Sequence, residues 1–481
     1  MKTLVPPAFG LALSLCLPLY AQPSAANLPS TTVGKAFGEF VKALNSGSLA
    51  ELQKFHKDRG DDPASAEQDM EFYQQSGGID PGRVVDASEF DLQIEVRTRR
   101  DGRPLIVRFG VEPHPPHAVS DIGIRPAGSP AAAVPPRLGG PAIAGPQGDG
   151  DEPPRPAAEV MAGAPALVDQ AVAAGFSGVV LVAHEGRPVV QKAGGLADRT
   201  ALTPNRVDTK FNLGSINKIF TKIAIAQLMA AGKLTLDTRL GVILPDFPSK
   251  DAAEKITIGH LIEMRSGIGD FFGPAFEAAP KEKIRTLQDY IPLFANKPLA
   301  FEPGTGQAYS NGGYITLGLV IEKLTGQTYY DYVREHIFKP AGMIDTDSYF
   351  RSEKTPNRAI GYTRRGGADY RTNLDALPER GSSAGGGYST AGDLLKFTEA
   401  LLANRLVDGA HTAWILGAPK PLVAPPPADA PRRGGLGIAG GSPGVNGVLE
   451  IQAAQKLVIV VLSNDDPPAA EALARQIRAG R

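Results

Sequence analysis

Ser215 and Lys218 stand three residues apart in the segment Phe211-Asn-Leu-Gly-Ser-Ile-Asn-Lys-Ile-Phe220, a spacing at which a lysine can activate a serine. Ile219, Phe220, Ile223 and Leu228 follow at helical steps and run toward Gly232, which predicts a strongly apolar helix. A serine in the first turn of such a helix meets the positive end of the dipole and free backbone N–H groups, both of which favour a developing anion. The lysine at i+3 lies on the serine's side of the helix. Packed among apolar residues it loses hydration, so its pKa falls and it becomes able to take a proton at neutral pH. Further along, Glu302-Pro-Gly-Thr305 marks a turn, and Tyr309-Ser310-Asn311 opens a second apolar helix that ends at Leu324-Thr-Gly326. Tyr309 and Asn311 add a phenol and an amide to the set.

Those side chains need a scaffold, and the flanking patterns supply one. Gly178 to Ala183 is a strand that turns at Glu185-Gly186 and returns through Val189 to Gln191. Near the other end, Val448 to Ile451 turns at Ala453–Lys456 and returns as Leu457 to Leu462, followed by a helix from Ala469 to Arg478. Strands at both ends with helical patterns between them predict a sheet joined by the two terminal segments, beside a mostly helical subdomain.

Upstream, residues 126–158 contain nine Pro, six Gly and eight Ala, a composition that cannot bury a core and reads as a linker. Before it lies a small α+β domain, 24–125. Val33, Phe37, Phe40, Val41 and Leu44 give one helix, and Leu49, Leu52 and Phe55 a second. Phe90, Leu92, Ile94 and Val96 alternate with polar residues as a strand, Asp101-Gly102 turns, and Leu105 to Val111 returns. Through AFGEFVKALNSGSLAELQKF this piece resembles the nuclear transport factor 2-like group. His114 and His117 enclose two prolines with no third ligand nearby, which reads as a loop rather than a metal site.

Residues 1–21 read as a secretory signal peptide: Lys2, an apolar run from Leu4 to Leu19 broken by Pro6, Pro7 and Pro18, and a cut after Ala21. The run is too short and broken for a spanning helix, so a secreted or periplasmic location is expected. Cleavage would remove Cys16, the single cysteine, leaving no thiol for a disulfide or a metal. Lys+Arg is 50 against Asp+Glu 51, an even balance that gives no electrostatic footprint for nucleic acid or an anionic membrane.

S-x-x-K followed by P-G-T and Y-S-N resembles the serine β-lactamase and penicillin-binding-protein superfamily. The closer likeness is to its class C β-lactamase-related, esterase-like branch, where Tyr replaces the Ser of S-D-N. It extends over residues 165–470 and includes KITIGHLIEMRSGIGDFFG at 255–273, SSAGGGYSTAGDLLKF at 382–397 and GGSPGVNGVLEI at 440–451. The resemblance implies a β-lactamase/transpeptidase-like α+β fold over 159–481, an antiparallel sheet flanked by helices plus a helical subdomain. It implies that Ser215 is an acylated nucleophile, Lys218 its proton partner, and Tyr309 a second acid/base group close to Lys218. Asn311 would hold Lys218 and the substrate's carbonyl side. The Gly441 N–H would join that of Ser215 as an oxyanion hole, with Gly440 beside it letting substrate lie close to the backbone. No cofactor is implied.

One position departs from the pattern. The branch carries Lys or His in a third motif, (K/H)-x-G, where this chain has Ile438-Ala439-Gly440. Without that charge, β-lactams and D-alanyl peptides fall behind neutral esters as expected substrates, and Arg432 and Arg433 stand as nearby substitutes. Three readings stay open: an exported esterase working through an acyl-enzyme, a β-lactam or D-alanyl peptide hydrolase, and a non-catalytic protein that binds cell-wall fragments. Oligomeric state is not legible. Two motifs in the same stretch are set aside. Gly435-x-Gly-x-x-Gly440 precedes no helix, and Gly440-x-Ser-x-Gly444 has no helix or triad after it. His260 is expected to hold the loop at Ser266-Gly267.

Overall fold

A computed structural model of the chain describes residues 28–59, 65–87, 89–111, 117, 119–126, 155–364, 369–417 and 435–480. The segment read as a signal peptide, His114, Arg432, Arg433 and residues 127–154 of the Pro/Gly/Ala-rich stretch lie outside them.

The N-terminal piece places three helices, α1 (Thr32–Asn45), α2 (Leu49–Asp58) and α3 (Ser65–Ser76), with a four-stranded sheet. The sheet is a meander, β1 (Ile79–Ala87), β2 (Asp91–Thr98), β3 (Pro104–Val111) and β4 (Val119–Pro126), each strand antiparallel to the next. Helix α1 starts where the Thr31 side chain accepts from Gly34 N–H and buries Phe37, Phe40 and Leu44. The rings of Phe37 and Phe40 each stand 5.3 Å from Phe109 of β3. The apolar periodicity of α1, α2, β2 and β3 foretold these elements. It did not foretell α3, whose sequence SAEQDMEFYQQS is largely polar, or β1, where Pro81 and Gly82 mimic a turn and the pairing slips twice. Among the histidines of the His-Pro-Pro-His segment, His117 stacks against Phe90.

Pro126 closes β4, and Ala157 opens helix α4 (Ala157–Ala173), so the ends of the 126–158 stretch belong to regular elements. Helix α4 carries Pro165 in its interior and is rich in small residues, so the sequence did not announce it, and its first two residues read as linker.

Beyond it stand β5 (Gly178–His184), β6 (Arg187–Gly194), α5 (Lys218–Ala230), α6 (Asn311–Thr325), β7 (Gly435–Ser442), β8 (Val445–Gln452), β9 (Leu457–Ser463) and α7 (Ala469–Ala479). The five strands form one antiparallel sheet in the order β7-β8-β9-β5-β6. Glu185 and Gly186 both take positive φ, as a two-residue hairpin turn requires. The strands alternate strictly. Val179, Leu181 and Ala183 of β5, with Val458, Val460 and Leu462 of β9, face the large core that includes α5 and α6. Val180 and Val182, with Leu457, Ile459 and Val461, face a smaller core under α4 and α7. Because both faces are covered, β5 and β9 read as unbroken apolar runs, and each buried branched side chain contributes about 1.5–3 kcal/mol. Strand β7 is the sheet's edge, which leaves one of its sides free to meet the turn that carries Ser215. Among the described residues no helix is long and apolar enough to cross a membrane.

Candidate active site

Ser215 sits in a 3-10 turn, Gly214–Asn217, that runs straight into α5. Gly214 takes φ +49, and its carbonyl accepts from Gly386 N–H at 3.3 Å. The glycine-rich segment around Gly385–Gly387 wraps the turn: Leu213 N–H donates to Gly387 O at 2.8 Å, and Asn217 Nδ2 to Ser382 O at 3.0 Å. A β-carbon on Gly387 would lie 2.2 Å from Asn217 Oδ1. One on Gly385 would lie 3.0 Å from Gly214 O, so close approach of the chain to the Ser215 turn is what the glycines of SSAGGGYS provide.

Four side chains converge here. Lys218 Nζ donates to Ser215 Oγ at 3.1 Å, to Asn311 Oδ1 at 2.7 Å and to the Ala384 carbonyl at 2.5 Å. Tyr309 OH lies 2.5 Å from Ser215 Oγ. Lys218 also stands 4.8 Å from the Tyr309 ring centre and 5.4 Å from that of Tyr314. Asn311 comes from the first turn of α6, whose start is fixed by Ser310 Oγ accepting from Gly313 N–H at 2.8 Å.

Burial governs the electrostatics. Lys218 is fully buried, and loss of hydration lowers its pKa from 10.5 to about 7, with the charge of Asp270 opposing the fall. Burial pushes the Tyr309 phenol well above its ordinary value, so it stays protonated. Of the two groups touching Ser215 Oγ, the lysine is thus the one able to accept a proton at neutral pH, and the phenol the one able to donate.

Strand β7 closes the other side. A β-carbon on Gly440 would lie 2.0 Å from Leu213 O and 2.7 Å from Ser215 N, and one on Gly214 would lie 2.9 Å from Gly441 N. Gly440 and Gly441 thus bring their backbone against the Ser215 turn where no larger residue fits. Ile438, two residues earlier and opposite Leu449, is buried in the large core. Gly440 to Gly444 is the end of β7 and its hairpin turn, with no helix behind Ser442. His260 caps the short helix Ile258–Ile262 together with Thr257, and its ring lies beneath Gly304.

Two groups escaped the sequence reading. The Ala384 carbonyl carries no side-chain signal. Asp270 lies in a quoted segment, yet nothing in one sequence told it from any surface aspartate. Its Oδ2 accepts from Asn311 Nδ2 at 2.7 Å and its Oδ1 from Phe272 N–H at 3.0 Å. Burial raises its pKa. Among the described residues no cluster of His, Cys, Asp and Glu fits a metal ion.

Residues 125–480 match the protein family described as Beta-lactamase. The chain belongs to that family. Penicillin-binding protein 4* of Bacillus subtilis is 32% identical over 248 residues, covering 49% of this chain and 54% of that protein. Esterase EstB of Burkholderia gladioli is 32% identical over 283 residues, covering 52% of this chain and 71% of that protein. The crystal structure of a penicillin-binding protein from Bacillus halodurans superposes with a TM-score of 0.57 at 29% identity, covering 65% of this chain and 98% of that one. The chain spans about half the length of the Bacillus subtilis penicillin-binding relatives it matches, 54% and 56%. The β-lactamase/transpeptidase-like fold implied by S-x-x-K and Y-S-N is therefore the fold of this family member, and the residues before 125 fall outside the matched region.

Proposed function

We propose that the chain is an exported serine hydrolase that cleaves neutral carboxylic esters through an acyl-enzyme on Ser215. The observation that carries the reading is the convergence of Lys218 Nζ and Tyr309 OH on Ser215 Oγ, at 3.1 Å and 2.5 Å. Neutral Lys218 takes the Ser215 proton as Oγ attacks the carbonyl carbon. The oxyanion is held by the Ser215 and Gly441 N–H groups. Tyr309, protonated, passes its hydrogen to the departing alkoxide and regains one from the Lys218 ammonium. Water then attacks the ester on Ser215 by the same route, releasing acid and restoring the serine.

The ester preference rests on Ile438. An apolar side chain stands where the resembling branch places a cation, so a substrate carboxylate finds no partner there. Matches to both an esterase and penicillin-binding proteins support hydrolysis of a carboxyl derivative without choosing the leaving group. Export rests on the leader before Gln22, and the division into leader, accessory domain, linker and hydrolase rests on composition.

Fluorophosphonate labelling with peptide mapping tests the core of the reading: an adduct on Ser215 in the parent chain and none in Ser215→Ala. No adduct in folded parent protein refutes it. A panel of p-nitrophenyl acetate, nitrocefin and a D-alanyl-D-alanine peptide ranks the substrates, with the ester expected first. Ile438 also favours a second reading, a binding protein that retains the cleft. It predicts saturable binding of a cell-wall fragment with no turnover of any of the three.

A further inference from the structure

We infer that Asp270 is a positioning residue for the chemistry at Ser215: acting through Asn311, its carboxylate decides which end of that amide meets Lys218 and supplies the lysine's counter-charge. The inference rests on the serine-hydrolase reading above.

An asparagine amide can present either its oxygen or its NH2, and only the oxygen serves a lysine. A carboxylate accepts and never donates, so Asp270 Oδ2, 2.7 Å from Asn311 Nδ2, admits only one of the two orientations. In that orientation Asn311 Oδ1 faces Lys218 Nζ. A charged Lys218 has three hydrogens, and three acceptors surround it: Ala384 O, Asn311 Oδ1 and Ser215 Oγ. Fixing the first two aims the third at the nucleophile. Asp270 is itself anchored at both oxygens, by Asn311 and by Phe272 N–H.

Charge makes the second half of the case. A fully buried ammonium is costly without an opposite charge nearby, and Asp270 is the charge that acts on Lys218. Among the described residues, the other elements around the pair bring no competing cation. Tyr309 and Tyr314 present neutral rings to the lysine. Lys222, one turn on in α5, turns to the Trp414 carbonyl at 3.3 Å. Lys297 meets the main-chain carbonyl of Asp270 at 3.1 Å rather than its carboxylate. With Ile438 in place of a cation on β7, the carboxylate has no second cation there to divide its effect.

The test compares the full chain with Asp270→Asn and Asp270→Glu, reading kcat and KM for an aryl ester and the rate of fluorophosphonate capture across pH. The parent's rate rises with pH as Lys218 loses its proton. In D270N the rise moves about one pH unit lower because the charge that favoured the ammonium is gone. The plateau kcat of D270N falls about tenfold to a hundredfold, with KM little changed, because the amide no longer has a fixed orientation. D270E keeps the parent's pH position, and Asp270→Ser replaces D270N should the latter not fold. A folded D270N with the parent's profile overturns the inference. So does a loss of kcat with the pH position unmoved, the mark of a merely structural residue. A parent chain that neither turns over ester nor captures the probe refutes the hydrolase reading itself, and this inference falls with it.

Discussion

Lys218 and Lys222 lie one turn apart on the same buried helix and differ in almost nothing intrinsic. Each is shielded from water, each donates to a backbone carbonyl, and each lies against an aromatic ring. Burial lowers both, Lys218 to about 7 and Lys222 to about 8. Yet one points at a serine hydroxyl and the other at the back of Trp414. A depressed lysine pKa is therefore a product of packing in this helix, and the surroundings, not the pKa, single out a reactive group. The Lys218 neighbourhood holds a serine hydroxyl, a phenol and an amide–carboxylate pair; that of Lys222 holds a carbonyl, a ring and the charge of Glu263.

The sharpest way to break this comparison is to delete each amine. Lys218→Met is expected to cut kcat/KM for an aryl ester about a thousandfold, the scale of a lost proton acceptor. Lys222→Met is expected to keep the parent's turnover. Equal losses in the two would mean that burial alone matters. Next in size, Tyr309→Phe should lower kcat about a hundredfold while Ser215 still captures a fluorophosphonate, since the phenol serves the leaving group more than the attack. Ile438→Lys puts a cation at the position where the resembling branch carries one. It should raise the ratio of nitrocefin to ester turnover about tenfold, the worth of one charge-assisted hydrogen bond. An unchanged ratio would mean that position 438 does not set specificity.

The smallest effect concerns stability. Lys222 has a folded pKa of about 8 against an ordinary 10.5, so between those values the unfolded chain binds more protons than the native one. Stability contributed by that site therefore rises as pH climbs through this window. K222M should flatten the rise in thermal or urea melts and, by removing a desolvated ammonium, raise stability near pH 7 by about 1 kcal/mol.

Much of the site was legible because it is local. S-x-x-K fixes a helical geometry by spacing alone, and Y-S-N announces itself as a helix start through Ser310. The hairpins of β5–β6 and β8–β9 were legible because strands covered on both faces leave unbroken apolar runs. What escaped was contributed by groups without a pattern. Asp270 gains meaning only when folding sets it against Asn311, and the Ala384 carbonyl is invisible by nature. Helix α4 hid behind Pro165 and a run of alanines, and α3 behind its polarity. Ile438 was legible as a departure from a motif, while its burial in the large core needed the sheet register to be known.

The order of strands in the large sheet sets a schedule for the site's birth on the ribosome. Strand β5 pairs at once with β6 but finds its other neighbour only in β9, and Ser463 reaches back to the Ser177 carbonyl across 286 positions of sequence. Such distant pairing is slow to form and cannot begin until the late strands have been synthesised. Until then the segment bearing Ser215 exists without the Gly440–Gly441 backbone against its turn. On the serine-hydrolase reading proposed above, nascent chains and chains truncated before β7 thus carry Ser215 without one wall of its site, and competence waits for closure of the sheet.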